Sequence, residues 1–288
     1  MNELLKRAVR YSVPRPVRNW LRSPAKSAEW LWDSAKFSFG GTETLRLSPA
    51  IAISLHPHAF RHACAAQITD PGQSAEFENF IRQCNDRMVL FDIGAHYGLF
   101  SLIAAACGAR VIAVEPSPIA MRMIKRHISM NRATNGAMNG ANAKIQVVQA
   151  AVSDGAGWLQ MLSSGIFSEG YFRLVTGRPA RELTQVRAMT VDDLTSEFGA
   201  PTHIKIDVEG HEAAAVRGAR KTLTRDAPQL FLELHNELIS KDRGDPSLTL
   251  KELKSVGYEA WSLDGRRLAD DEILKESIVR IVAAPKSA

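Results

Sequence analysis

The chain has 288 residues, 45% of them hydrophobic, and a formal net charge of +5, a composition able to bury a substantial core as one large domain or two small ones. No run approaches the ~20 apolar residues of a spanning helix, and the first twenty residues hold no secretory apolar core. Cys64, Cys84 and Cys107 are odd in number and lack CxxC spacing, so they specify neither a disulfide framework nor a zinc site, and the expectation is a cytoplasmic protein with buried thiols.

Residues 1–39 carry eight basic side chains against three acidic ones, which leaves the rest of the chain neutral. They also hold Trp20, Trp30 and Trp32, and Pro14, Pro16 and Pro24 break the segment into short pieces. The expected organisation is a basic, helical N-terminal segment over 1–44 and a second domain over 45–288. Basic residues interleaved with tryptophan suit peripheral contact with an anionic membrane, although charged faces of this kind are most often only solvated.

Beyond residue 45, short apolar runs alternate with stretches of helical spacing. Strands are expected over 88–93, 110–115, 145–152, 203–208, 229–234, 258–263 and 278–283, with helices over 97–107, 118–131, 211–223 and 247–256. Nearly continuous apolar strands separated by helices describe an α/β, doubly wound, mostly parallel sheet. Only a polar segment separates the last two strands, so they are expected to pair antiparallel at one edge. The Asn- and Gly-rich stretch 131–144 reads as a surface loop. The long stretch 163–190 reads as a lid or substrate loop, with Phe167, Tyr171 and Phe172 available to stack on an acceptor or to pin the loop to the core.

Ligands of such sheets sit beyond the carboxyl ends of the strands. Those ends carry Asp92, Glu115, Asp154, Asp207 with Glu209, and Glu233 with His235. A single acid there is an ordinary helix cap, but agreement over five strands points to one acidic crevice. The stretch VLFDIGAHYGLF places Asp92 where a dinucleotide fingerprint would have its first glycine. A carboxylate there repels a pyrophosphate and suits the positive charge of S-adenosylmethionine. Gly94 and Ala95 form the turn against this ligand, Gly98 lets the next helix approach the strand, and Glu115 can accept hydrogen bonds from ribose hydroxyls.

VLFDIGAHYGLFS, VIAVEPSP, AAVSD, MTVDDL, HIKIDVEGHEAAAVRGARKTL and PQLFLELH occur in this order. The pattern resembles the FkbM family of S-adenosylmethionine-dependent methyltransferases over residues 45–285. The resemblance implies the class I methyltransferase fold, a Rossmann-like sheet of seven strands. It also implies methyl transfer, typically to a hydroxyl oxygen, with acceptors among glycans, glycolipids and natural products. Asp92, Gly94 and Gly98 correspond to the cofactor turn, Glu115 to the ribose acid, Asp154 to a position near the adenine, and Asp207 to a substrate-facing catalytic position. His96 and Tyr97 depart from the small or polar residues usual there.

Methyl transfer to oxygen needs alignment and a group to take the hydroxyl proton. His235, oriented by Glu233, is the first candidate base, followed by Asp207 and His211; a packed histidine is the competing reading of His235. Lys205 is expected to form an ion pair with a neighbouring acid. Asp207, Glu209, Glu212, Glu233 and His235 also admit a divalent ion, but no ligand spacing specifies one and none is assigned. The alternatives are a scaffold that has lost its chemistry, which the intact acids oppose, and a nicotinamide oxidoreductase, which the missing GxGxxG opposes. The neutral domain offers no basic groove for nucleic acid, so none is expected as a partner.

Overall fold

The computed structural model describes residues 41–47, 51–69, 71–134, 145–163, 172–174, 183–242 and 244–286. Contacts divide the chain into Met1–Gly41 and Thr42–Ala288, and the described residues belong to the second unit apart from Gly41. The basic segment with its tryptophans, most of the loop expected at 131–144, and Phe167 and Tyr171 lie outside them. No described helix is long and apolar enough to cross a membrane.

The main sheet has the strand order β12, β13, β11, β10, β3, β4, β5. These strands are β3 (Val89–Ile93), β4 (Arg110–Val114), β5 (Ile145–Val148), β10 (His203–Ile206), β11 (Gln229–Leu234), β12 (Tyr258–Trp261) and β13 (Val279–Pro285). β3, β4, β5, β10 and β11 run parallel, whereas β13 pairs antiparallel with both β11 and β12. Seven strands with an antiparallel edge are the architecture expected from the apolar runs. The reason is visible in burial: Phe91, Ile93, Ile112, Val114, Ile204, Ile206, Leu230 and Leu232 are buried on one face, and Leu90, Val111, Ala113 and Phe231 on the other, as strands covered on both faces require.

Two expectations fail at their breaks. IQVVQAAV forms two strands, because after β5 the chain leaves the main sheet and β6 (Ala151–Val152) joins another one. The helix expected over 211–223 is divided into α6 (Glu212–Arg217) and α7 (Arg220–Asp226) at Gly218, where a Cβ would lie 2.1 Å from the Ser153 carbonyl oxygen. Of the stretch expected as a lid, the described residues 172–174 and 183–189 form β8 (Phe172–Leu174) and β9 (Leu183–Met189), which join β6 and β7 (Gly157–Ser163) in a four-stranded sheet. Val186, Ala151 and Met161 are buried together there, so an alternating strand pattern had been hidden by polar neighbours.

Ahead of the main sheet lie β1 (Glu43–Arg46), β2 (Ala52–Leu55), α1 (Pro57–Thr69) and α2 (Pro71–Gln83). The described helices that follow are α3 (Leu99–Ala106), α4 (Pro118–Thr134), α5 (Val191–Phe198), α6, α7, α8 (Asn236–Lys241), α9 (Ser247–Ser255) and α10 (Asp270–Lys275). α4 substitutes side chains for a strand partner: Asn131 accepts the Ser54 N–H at 2.8 Å and donates to the Ser54 carbonyl at 2.7 Å. One turn earlier, His127 Nε2 accepts the His56 N–H at 3.0 Å and Nδ1 donates to the Tyr97 carbonyl at 2.9 Å. That pairing needs the neutral imidazole, and burial holds the His127 pKa down at about 4.

Candidate active site

The chain turns from β3 into α3 with Gly94 and Gly98 both at φ +79 and His96 at φ +50. A Cβ on Gly94 would fall 1.8 Å from the Asp207 carbonyl oxygen, so glycine is needed because the ends of β3 and β10 converge, and not only to approach a ligand. At Gly98 the neighbour is Ile124 of α4, 3.2 Å from the would-be Cβ. The Glu115 carboxylate pins this turn by accepting the His96 N–H at 2.8 Å and the Ser117 N–H at 2.7 Å. Burial pushes the Glu115 pKa up to about 7 against these hydrogen bonds. His96, unusual at its position, stacks on Tyr97 with ring centroids 3.7 Å apart.

Asp92 is buried and accepts the Ser101 hydroxyl of α3 at 2.5 Å. Burial raises its pKa to about 6, opposed by Ser101 and by the positive charge of Lys205. Asp92, Gly94, Ala95, His96, Tyr97, Lys205 and Asp207 line a cavity of about 90 Å³ together with Ala59, Gln73 and Phe77 of α1 and α2. Asp154 stands apart from this lining: Arg217 holds it in a half-exposed ion pair at 2.9 Å.

The ends of β10 and β11 bring the three expected catalytic residues together. Ligand atoms of Asp207, Glu233 and His235 all lie within 4.8 Å of one another. His235 Nε2 is 3.9 Å from Asp207 Oδ1, 3.7 Å from Glu209 Oε2 and 3.8 Å from Glu233 Oε1. Its Nδ1 is hydrogen-bonded at 2.8 Å to Glu212, the acid that orients it in place of the expected Glu233. Burial opposes charge on His235, but Glu212 and the surrounding carboxylates prevail and raise its pKa to about 9. A raised pKa favours the charged imidazole, which can donate a hydrogen bond to an acceptor, whereas the role of base expected first for His235 needs the neutral form. Glu209 has the left-handed φ of +52, a strained backbone at the mouth of the cluster, and burial lifts its pKa to about 7. His211 bonds the Ser153 hydroxyl at 2.9 Å.

Two partners were missed in the sequence. Lys205, buried as expected of an ion-paired lysine, lies 3.1 Å from Glu76 of α2, 3.8 Å from Glu233 and 3.9 Å from Asp207. Arg280 of β13 grips Glu233 with two contacts of 2.9 and 3.1 Å. Glu76 shares helical spacing with Gln73, Phe77 and Phe80, and Arg280 interrupts an apolar strand, so each was a charge on a face meant for burial.

The strand order, with Asp92 buried at the penultimate residue of β3 and Glu115 just past the end of β4, fits a positively charged nucleoside better than a pyrophosphate. The family model of the methyltransferase FkbM domain matches residues 92–260, more than half of the chain. The chain belongs to the FkbM methyltransferase family. This FkbM protein is thus a class I methyltransferase in fold, and its cofactor is S-adenosylmethionine.

Among solved structures, the methyltransferase FkbM from Methylobacillus flagellatus KT is 22% identical, with 70% of this chain and 44% of that one covered and a TM-score of 0.46. This chain thus spans less than half the length of that structure. Precorrin-6y C5,15-methyltransferase from Geobacter metallireducens GS-15 is 14% identical, with coverage of 75% and 89% and a TM-score of 0.41. The O-methyltransferase from Bacillus cereus, in complex with SAH, is 13% identical, with coverage of 98% and 96% and a TM-score of 0.39. No curated protein matches the chain.

Proposed function

We propose that this FkbM methyltransferase methylates a hydroxyl oxygen on a glycan, a glycolipid or a related natural product. The observation that carries the reading is the polar cluster at the ends of β10 and β11, whose Asp207 lines the same cavity as Asp92 and the glycine turn. Bound S-adenosylmethionine supplies a methyl carbon already activated by a sulfonium.

Asp92, Gly94, Ala95 and Gly98 hold the cofactor at the turn, and Glu115 fixes that turn while offering its remaining lone pairs to ribose hydroxyls. Asp154 reaches the adenine once Arg217 yields part of its hold. On the acceptor side Asp207, the acid of the cluster open to the cavity, receives the hydroxyl proton. Glu233 is fixed by Arg280 and stabilises the charge on His235, which donates to the acceptor.

The test uses purified full-length protein, methyl-labelled cofactor and a panel of hydroxylated acceptors. An alkali-stable methyl ether is expected, and Asp207→Asn should lower kcat by about a hundredfold or more. Label appearing only in amines or carboxyl esters would sink the reading.

A further inference from the structure

Three cysteines without a pairing signature enter the fold, and two of them meet in it. Cys84 directly follows α2, and Cys107 caps the end of α3 with its N–H hydrogen-bonded to the Ile103 and Ala104 carbonyls. Their thiols, far apart in sequence, are hydrogen-bonded to each other. The two chain segments touch here: next to Cys107, a Cβ on Gly108 would lie 3.1 Å from the Asp86 Cβ and 3.3 Å from its Cα. All three cysteines are half-buried and not buried as expected, so small reagents reach them.

The neighbouring contacts show what a covalent link at this point would hold. The Cys84 N–H donates to the Phe80 and Ile81 carbonyls at 3.2 Å, so the cysteine prolongs the last turn of α2. From the same helix Phe77 stacks on Phe100 of α3 with ring centroids 4.7 Å apart, and Phe80 meets that ring edge-on at 5.0 Å. Phe77 and Phe100 both line the cavity beside Asp92. The contact between α2 and α3 is therefore part of the wall of the cofactor cavity. The chain between the two cysteines also contains all of β3 and the turn from Asp92 to Gly98.

We propose that Cys84 and Cys107 form a reversible oxidation site, at which a low-molecular-weight disulfide such as oxidised glutathione converts the two thiols into a disulfide that fastens α2 to α3. The pairing sets the order of events. Hydrogen bonding from the Cys84 S–H lowers the Cys107 pKa and raises the share of nucleophilic thiolate there, whereas Cys84 stays protonated. The Cys107 thiolate attacks one sulfur of oxidised glutathione, whose S–S bond breaks, and one glutathione thiolate leaves with the electron pair. Cys84 then loses its proton to solvent, and its sulfur displaces the second glutathione thiolate from Cys107. The protein gives up two electrons and two protons, and the oxidant becomes two glutathione thiols. Excess thiol reverses both steps. Since Phe77 can retreat only with α2, whose end the disulfide anchors, the oxidised protein should exchange cofactor more slowly than the reduced one.

The experiment equilibrates the full chain in glutathione buffers of rising oxidised fraction, traps free thiols by alkylation and maps them by mass spectrometry. Release of S-adenosylhomocysteine from the oxidised and reduced forms is then followed by stopped flow. The expected result is an intramolecular Cys84–Cys107 disulfide, a Cys64 that remains alkylatable, full reversal by dithiothreitol, and release slowed by about threefold or more. Cys84→Ser should form no intramolecular disulfide and should release S-adenosylhomocysteine at the same rate in every buffer. Wild-type Cys84 and Cys107 that stay alkylatable in fully oxidised glutathione, or that pair with Cys64 or with a second molecule instead, would overturn the site. A Cys84–Cys107 disulfide that leaves the release rate unchanged would overturn its hold on the cofactor wall.

Discussion

On the β3 and β4 side of the crevice each buried acid meets a donor at bonding distance: Ser101 for Asp92, and the His96 and Ser117 amides for Glu115. On the β10 and β11 side, Asp207 and Glu209 face His235 at 3.7 to 3.9 Å with no such bond between them. The contrast separates two kinds of carboxylate. The buried set shapes a loop and is already satisfied by it, whereas Asp207 and Glu209 are only partly buried and keep oxygens that a ligand can meet.

The largest test of this contrast is Lys205→Met. It leaves buried Glu76, whose pKa burial already raises, with only Arg280 at 3.4 Å as a cationic partner, and should cost about 3–5 kcal/mol in urea unfolding, with Glu76→Gln restoring part of the loss. An unchanged midpoint would mean that the acids beside Lys205 do not depend on it.

Gly94→Ala attacks the seam between the two sides. The collision with the Asp207 carbonyl and the left-handed φ together should cost about 3 kcal/mol, seen as a lowered melting temperature. A variant that melts like wild type would show that the strand ends separate freely.

A smaller effect should appear with pH. Since the Asp92 pKa is raised to about 6, its carboxylate is largely neutral at pH 5 and ionised at pH 8. Affinity for S-adenosylmethionine, relative to S-adenosylhomocysteine, a zwitterion that lacks the sulfonium charge, should therefore rise with pH through this interval by on the order of tenfold. A flat ratio measured by calorimetry would place the sulfonium away from Asp92. Ser101→Ala sharpens the same experiment: without the hydroxyl donor, the midpoint should move up by about one pH unit.

The parallel strands were legible because each is nearly continuous in apolar residues, and the strand-end acids followed once the sheet was laid out. The Asp207, Glu233 and His235 cluster needed only the adjacency of β10 and β11. Its partners were hidden for a different reason. Glu76 meets Lys205 across 129 residues of sequence, and Arg280 meets Glu233 through an antiparallel register, neither of which leaves a periodic trace. Glu212 was noted among the acids that admit a divalent ion and not as the partner of His235, because nothing in EGHE tells which ring nitrogen another strand will offer it. The strands of 157–189 escaped notice because polar residues interrupt their short apolar runs and their small core is contributed from separated segments.

The cavity of about 90 Å³ beside Asp92 has a kinetic consequence. Sites for nucleoside-sized ligands usually enclose about 300–1,000 Å³, so a cofactor against Asp92 either extends out of this cavity or displaces Ala59, Gln73 and Phe77 of α1 and α2. Stopped-flow mixing separates the two: an observed association rate that levels off with cofactor concentration reports an opening step, and a rate that stays linear reports binding to the cavity as it stands.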